Sequence, residues 1–407
     1  MANLDLASFN AALKELYSAQ VVENMVYDNN PFLALVKKRT DFEGSDYPIP
    51  TIWSTSQGRS TQFNIAQANQ TALKVDSFRL TRKRNYSLAT LDNETMEASA
   101  SSKGAFIQAA KAEIDGAFRI ITLALATDLF GAGTGSRGQI GSITGGVIVL
   151  SQPNDVVNFE VGMTLQANAT NGGSSPRAAL GYVVAVDRAN GELTVSATAQ
   201  GGAAGDPSLW VPNDFLLVQG DNNATISGLG AWLPATAPGP TDNFYGVNRS
   251  QDATRLAGVR YDGRNMPIQE ALSNAAILSN REGGSPDHCF LDFGSYANLL
   301  NALGAKIQYV DQKGPANLTF PSVMLPTPNG MVKIIPDRNC PADTAFLLSM
   351  KSWTLMSLKG CPRILSPGDG LEQLRVYNQD AAELRVGYYA NLACNAPGHN
   401  ARVQLGS

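Results

Sequence analysis

GSDYPIPTIW at residues 44–53 and FRLTRKRNYSL at residues 78–88 frame the segment on which the reading of this chain turns. Tyr47, Ile49 and Trp53 alternate with Pro48 and Pro50, a period of two that belongs to an extended strand. Proline cannot donate to a ladder, so such a strand sits at an edge or in an unpaired ribbon. The polar run Ser54 to Thr71 reads as the tip. On the return, Phe78, Leu80, Tyr86 and Leu88 are expected on one face, with Arg79, Thr81, Lys83 and Asn85 on the other. Residues 44–91 therefore predict a long hairpin. A two-stranded ribbon is marginal in water by itself, so it must lie on its own body or on a neighbouring subunit.

Before it, Leu6, Phe9, Leu13, Leu16 and Tyr17 recur at helical spacing, predicting a helical arm over 6–27 that Asn29-Asn30-Pro31 ends. Phe32 to Val36 follows as an apolar anchor, then Lys37-Lys38-Arg39. After the hairpin, Ser102 is a candidate N-cap, and Ile107, Ala110, Ile114, Ala117, Phe118, Ile121, Leu125 and Leu129 form one apolar face. A helix from Ser102 to Phe130 spans roughly 43 Å, with Gly131 as its stop. Gly133, Gly135 and Gly138 satisfy G-x-G-x-x-G. Yet a dinucleotide cradle needs a strand before and a helix after, and here the order is reversed, so a flexible linker is the reading.

From about Thr144 to Asp221 alternation returns. Val157 to Leu165, Tyr182 to Val186, Leu193 to Val195 and Phe215 to Val218 read as strands, with Asn190-Gly191 as a hairpin turn. They predict a small β-barrel or sandwich inserted into a larger domain. Beyond it, helices are expected from about Pro267 to Asn280 and from a Ser295 cap through Leu303. Strands are expected at 289–293, 331–335, 345–349, 354–358, 374–377, 384–392 and 402–405.

Composition narrows the function classes. The 407 residues are 43% hydrophobic but only 16% charged, and 31 Lys+Arg against 35 Asp+Glu leaves a net charge of −4, which excludes a generally basic nucleic-acid coat. The low charge suits a chain whose outside is covered by copies of itself. No apolar run approaches the roughly 18 residues of a membrane span, and the start lacks the basic and apolar regions of a secretory signal, so cytoplasmic synthesis is expected. Cys289, Cys340, Cys361 and Cys394 are far apart and His288 and His399 are the only histidines, so no close-spaced zinc set exists. Adjacent residues on an extended segment face opposite sides, so His288-Cys289 reads as a buried cysteine rather than a nucleophile with its base. There is no paired-carboxylate motif, G-x-S-x-G or P-loop. No enzyme, cofactor or metal is expected.

The order of arm, extended hairpin, long helix, mixed α/β domain and C-terminal strands resembles the major capsid proteins of tailed bacteriophages. Two stretches carry the likeness further: Asn30-Pro31-Phe32-Leu33-Ala34-Leu35 before the hairpin, and Asn391-Leu392-Ala393-Cys394-Asn395-Ala396-Pro397-Gly398 near the end. The resemblance implies an α+β, HK97-like capsid fold. Residues 1–43 would be the N-arm, 44–91 the E-loop, and 92–143 P-domain with the spine helix. The inserted β domain would be 144–221, the A-domain 222–340, and 341–407 the remaining A/P-domain strands. It also implies self-assembly as hexamers and pentamers into an icosahedral head, built in the host bacterial cytoplasm, that encloses double-stranded DNA in the virion. Portal and cementing proteins would be partners. Some members carry a cleaved scaffolding segment ahead of the arm; here the hairpin begins within the first fifty residues, which implies a separate scaffolding protein or none.

On this reading Phe32, Lys74, Arg79, Arg82, Lys83, Arg84, Glu94 and Glu97 are candidate inter-subunit contacts. The basic cluster would pair with Glu94, Glu97 or Asp92 of adjacent subunits, or form a solvated strand face, or touch DNA. Some members place a lysine near Lys74 that bonds to an asparagine on a neighbour. Gly104, Gly131, Gly133 and Gly135 are candidate hinges that let one sequence occupy several environments. Two alternatives stand beside the phage head: a cellular nanocompartment of the same fold, and a glycan-binding or adhesin β-rich surface protein using Trp210, Trp232 and Tyr182.

Overall fold

A computed structural model describes residues 26–27, 29–92, 103–304, 309–313, 319–328, 330–366, 373–375 and 380–406. Apart from Val26 and Tyr27, which are helical, the expected arm helix lies outside these residues, as do Ser102, Glu94 and Glu97.

The chain enters through α1 (Pro31–Leu35), with proline in its first turn where no N–H is missed, then β1 (Lys37–Arg39). The hairpin is β2 (Asp46–Ser54), a short tip helix α2 (Phe63–Ala68) and β3 (Lys74–Thr81). Among the described residues these two strands pair only with each other. Strand β4 (Lys83–Asp92) then leaves the ribbon for the body. Helix α3 (Lys103–Phe130) has 28 residues, about 42 Å. Ile114, Ala117, Phe118, Ile121, Leu125 and Leu129 are buried along one stripe of it, as the spacing predicts.

Next come six strands: β5 (Ser136–Thr144), β6 (Val147–Leu150), β7 (Thr164–Asn168), β8 (Leu180–Asp187), β9 (Glu192–Ser196) and β10 (Phe215–Val218). They close into a barrel in the order β10-β5-β6-β9-β8-β7 around its own core of Ile140, Ile148, Phe159, Leu165, Val183, Leu193, Trp210 and Leu216. The body resumes with α4 (Leu229–Trp232), β11 (Val259–Gly263), α5 (Ile268–Arg281), β12 (His288–Leu291) and α6 (Phe293–Leu303). Strands β13 (Tyr309–Lys313), β14 (Thr319–Thr327), β15 (Gly330–Pro336), β16 (Thr344–Leu348) and β17 (Trp353–Ser357) follow. The chain ends with β18 (Arg363–Ile364), β19 (Gln373–Arg375), β20 (Ala381–Cys394) and β21 (Ala401–Leu405).

Among the described residues one sheet runs β11-β21-β16-β12-β15-β14-β13, and α5 packs its buried Ala271, Leu272, Ala275 and Ala276 into that sheet's core. A second sheet is built on β20, which pairs with β17, β18, β19 and β4. Its inner residues Leu384, Val386, Tyr388 and Ala390 join α1, α3 and the near half of the ribbon in the largest core. The C-terminal third serves both sheets: β16 and β21 lie in the first, β17 and β20 in the second.

Five local expectations are corrected. The return run is not one strand of the hairpin: it breaks at Arg82, and β4 pairs with β20 from Ala390↔Lys83 to Ala381↔Asp92. The interruption changes the side-chain phase. Phe78 and Leu80 are buried, but Tyr86 and Leu88 are 46% and 56% exposed, because with a period of two a single-residue step moves side chains to the other face. The barrel begins at Ser136, not 144. The strand expected from Val157 begins only at Thr164: Pro153–Asn158 is a 3-10 turn started by Pro153 that drops Val156 and Phe159 into the barrel core. Asp292, not Ser295, caps α6, accepting from the N–H groups of Gly294 and Ser295. Finally, β11, β13 and β14 were not expected; Pro321 and Pro326 in β14 argue against a strand locally, yet β13 and β15 flank it.

Candidate assembly surface

The ribbon divides into two halves. Near the body, Phe78 stands edge-on to Trp232 at 5.1 Å and to Phe244 at 6.1 Å. Ile49 and Leu80 are buried beside it, and the Arg79 N–H donates to the Tyr245 carbonyl at 2.9 Å. A brace lies further out: Arg255 donates to the Trp53 carbonyl at 2.9 Å, Trp53 Nε1 donates to Asp76 at 2.7 Å, and Lys74 Nζ lies 5.0 Å from the Trp53 ring centroid. The outer half is uncovered. Ile52 is 61% exposed, Val75 50% and Phe63 83%, with Ile65 and Leu73 also exposed. Covering one such side chain is worth about 1.5–3 kcal/mol. Pro48 and Pro50 deprive β2 of two ladder donors, so this arm offers faces to a partner rather than an edge to extend.

A second apolar surface lies on the outer side of the sheet built on β20. Arg84, Tyr86 and Leu88 of β4 stand opposite Tyr389, Gly387 and Arg385 of β20. The Tyr86 and Tyr389 rings meet edge-on at 6.0 Å.

The candidate contacts are scattered by this geometry. Phe32 is fully buried between Phe130 and Phe290 at 5.4 and 5.2 Å. It is a core anchor of its own subunit, not an inter-subunit contact, because α1 is tucked under the end of α3. Arg79 pairs with Asp46 across the ribbon at 3.3 Å. Arg82 donates to the Phe42 carbonyl at 2.6 Å and lies over that ring. Lys83 Nζ donates to the Asn223 carbonyl at 2.9 Å, and burial lowers its pKa. Three of the four basic residues thus have partners inside the chain, whereas Arg84 is exposed and forms no ion pair among the described residues. Lys74 sits on the exposed outer half.

Of the glycines, Gly104 lies in the first turn of α3 and Gly131 ends that helix, its N–H on the carbonyls of Thr127 and Asp128. Gly133 and Gly135 are not in a loose linker. Both have left-handed φ, and a Cβ on Gly135 would stand 2.4 Å from the Asp221 carbonyl oxygen. The G-x-G-x-x-G stretch is a packed crossover into β5.

The tryptophans proposed for sugar stacking are core: Trp232 is fully buried and Trp210 fills the barrel, while Tyr182 is half-buried on β8. Cys289, Cys340 and Cys394 are buried, and burial pushes the Cys394 thiol up to about 12 and raises the other two well above the ordinary thiol range. The His288–Cys289 pair therefore has no thiolate to offer.

Sequence reading missed a buried ionic cluster where the barrel joins the body. Arg137, on β5, reaches Asp128 of α3 at 3.1 Å and Asp221, beyond β10, at 3.6 Å. Burial pushes the Asp128 carboxyl up to about 7 against the pull of Arg137. Burial works against the Arg137 charge too, but the two carboxylates outweigh it and raise its pKa. Asp128 Oδ2 and Arg137 Nε have no hydrogen-bond partner. A cleft of about 690 Å³ opens beside the cluster, lined by Phe130, Arg137, Asn158, Phe215, Asp292 and Asn339 among others. Nothing in the sequence flags a triad whose members sit in a helix end, a strand start and a loop.

No protein-family model matches the chain, and no curated protein matches it by sequence. By structure, a chain of the cyanophage A-1(L) capsid asymmetric unit is similar over 92% of this chain and 92% of its own, with 12% sequence identity and a TM-score of 0.52. The holo-SrpI encapsulin complex from Synechococcus elongatus matches at 9% identity over 97% and 94% of the two chains, with a TM-score of 0.45. The capsid of a native GTA particle matches at 6% identity over 92% and 90%, also with a TM-score of 0.45. At such identities the likeness is one of fold: the chain has the α+β, HK97-like fold of phage capsid proteins.

Proposed function

We propose that this chain is the major subunit of a phage head, assembling as hexamers and pentamers into an icosahedral shell around double-stranded DNA. The observation that carries the reading is the outer half of the ribbon: an arm with capsid-fold topology that leaves Ile52, Phe63, Ile65, Leu73 and Val75 exposed in the single chain. An arm of this kind is stabilised by burying that surface on a neighbour. The outer face of β4 and β20, with Tyr86, Leu88 and Tyr389, offers a receiving patch of matching chemistry on the next copy. Arg84, which forms no ion pair among the described residues, is a basic residue placed to meet an acidic group there. Gly104 and Gly131 would absorb the differences between hexamer and pentamer positions, and backbone angles compared across the unique subunits of one shell would test that.

The experiment is electron microscopy and light scattering on the protein expressed alone and then with its neighbouring genes. Rings or closed shells are expected, and nuclease-protected DNA inside them separates a phage head from a compartment loaded with protein cargo. The double variant Ile52→Asp/Val75→Asp should fold but not assemble. A chain that stays monomeric under co-expression overturns the reading.

A further inference from the structure

We propose that the attachment of the barrel to the body is a pH-dependent latch made of Asp128, Arg137 and Asp221, firm in acid and loosened as Asp128 ionises. The latch is a property of the single chain and does not depend on what the chain assembles into.

The geometry isolates it. The two chain segments that join barrel to body lie side by side: the Asn223 N–H donates to the Thr134 carbonyl at 3.1 Å, and Gly135 packs on the Asp221 backbone. Across this pair of segments Arg137 bridges the end of α3 to the exit loop of β10. The side chains of Arg137 and Asp128 are only 4% and 5% exposed. One guanidinium therefore faces two carboxylates, Asp128 nearly closed to water and Asp221 20% exposed. With both ionised the cluster holds a surplus buried negative charge, which the neighbouring Tyr388 hydroxyl, favouring the ionised Asp128, offsets less than burial penalises it. With Asp128 protonated the cluster is one cation against one anion.

The groups facing the cluster are few. Tyr388 comes from β20, and burial pushes its hydroxyl well above its ordinary range, so it stays neutral. Lys83, from β4, is held on the Asn223 carbonyl. Asp155, in the 3-10 turn against Gly138, is pushed up to about 6 by burial and shifts in the same direction as Asp128.

The sign follows from linkage. An opened, hydrated Asp128 regains its ordinary pKa of 3.8, whereas closed it titrates at about 7. Between these values the closed state holds more protons, so acid favours closure. The opening constant rises by up to about tenfold per pH unit across that window and levels off above it.

Hydrogen–deuterium exchange on the full-length chain tests this. The opening constants of peptides covering 131–139 and 219–228 are measured from pH 5 to 8, each corrected for intrinsic exchange. They are expected to rise about fiftyfold from pH 5 to 7, while peptides inside the barrel, such as 192–196, stay flat. Asp128→Asn should remove most of the rise and be better protected at pH 7 than the parent protein; the rise that remains belongs to Asp221, whose carboxyl burial also pushes up. Asp221→Asn leaves one carboxylate per guanidinium and should also be better protected than the parent at pH 7. Asp155→Asn should keep the rise. A flat profile in the parent, loss of the rise in Asp155→Asn, or Asp128→Asn and Asp221→Asn both opening more than the parent at pH 7, as mere loss of an ion pair would produce, overturns the latch.

Discussion

Replacing Phe78 by alanine should unfasten the ribbon from the body, whereas replacing Phe63 should leave the subunit intact. Phe78 is fully buried and meets Trp232 and Phe244 edge-on, at 5.1 and 6.1 Å. Removing it gives up the transfer of a large apolar side chain, about 2–3 kcal/mol. Two aromatic pairs are lost as well, each about 0.5–1.5 kcal/mol. The total, about 3–6 kcal/mol, overlaps the roughly 3–5 kcal/mol of core phenylalanine truncations generally. Phe63, on the same ribbon, is 83% exposed, and a surface truncation of that kind stays within about 0.5 kcal/mol. Urea unfolding of the unassembled subunit, followed by tryptophan fluorescence, reads both variants, because Trp232 sits at the Phe78 contact. Light scattering under assembly conditions then reads the reverse ranking, with Phe63→Ala assembling poorly despite an unchanged midpoint. If Phe78→Ala cost less than about 1 kcal/mol, or if Phe63→Ala destabilised the free subunit comparably, the division of the ribbon into anchored and presented halves would be wrong.

Three further outcomes are expected. Gly135→Ala places a Cβ 2.4 Å from the Asp221 carbonyl oxygen at a left-handed φ of +83°, whereas Gly145 is left-handed with open space around it; thermal melts should therefore show a clear loss for Gly135→Ala and about 1–2 kcal/mol for Gly145→Ala. Asn400 accepts from the Ser349 N–H at 2.8 Å and Trp353 Nε1 at 2.9 Å and donates to the Ala396 carbonyl at 2.9 Å; Asn400→Leu strands those buried groups and should cost at least about 2 kcal/mol by denaturant titration. The Arg249 guanidinium, hydrogen-bonded to Asp242 at 2.9 and 3.0 Å, holds that carboxyl below its ordinary 3.8. A depressed carboxyl stabilises above its unfolded pKa and loses that contribution as pH falls through the folded value, so Arg249→Met should flatten the acid limb of the stability profile below about pH 4.

Reading along the chain found what consecutive residues encode. Tyr47, Ile49 and Trp53 between prolines declare an edge strand without reference to anything distant. Ile114 through Leu129 declare a helix by the 3.6-residue repeat, and the alternating runs after Gly138 declare a β module, though Pro153 turned part of one run into a 3-10 turn. Low charge together with an unsupported ribbon also pointed toward a chain covered by its own copies. What the backbone does at Arg82 was not legible. The alternation looks continuous there, and only the presence of β20, three hundred residues later, gives Lys83 to Asp92 a better partner than β2. The same holds for Phe32, buried against Phe290, and for the basic residues whose acceptors are Phe42 and Asn223 carbonyls. The Asp128–Arg137–Asp221 cluster is the extreme case. Periodicity is a property of neighbours in sequence, so it determines elements and their buried faces. Partners and the pKa values they set depend on which distant residues folding brings within a few ångströms, and that only the tertiary structure decided.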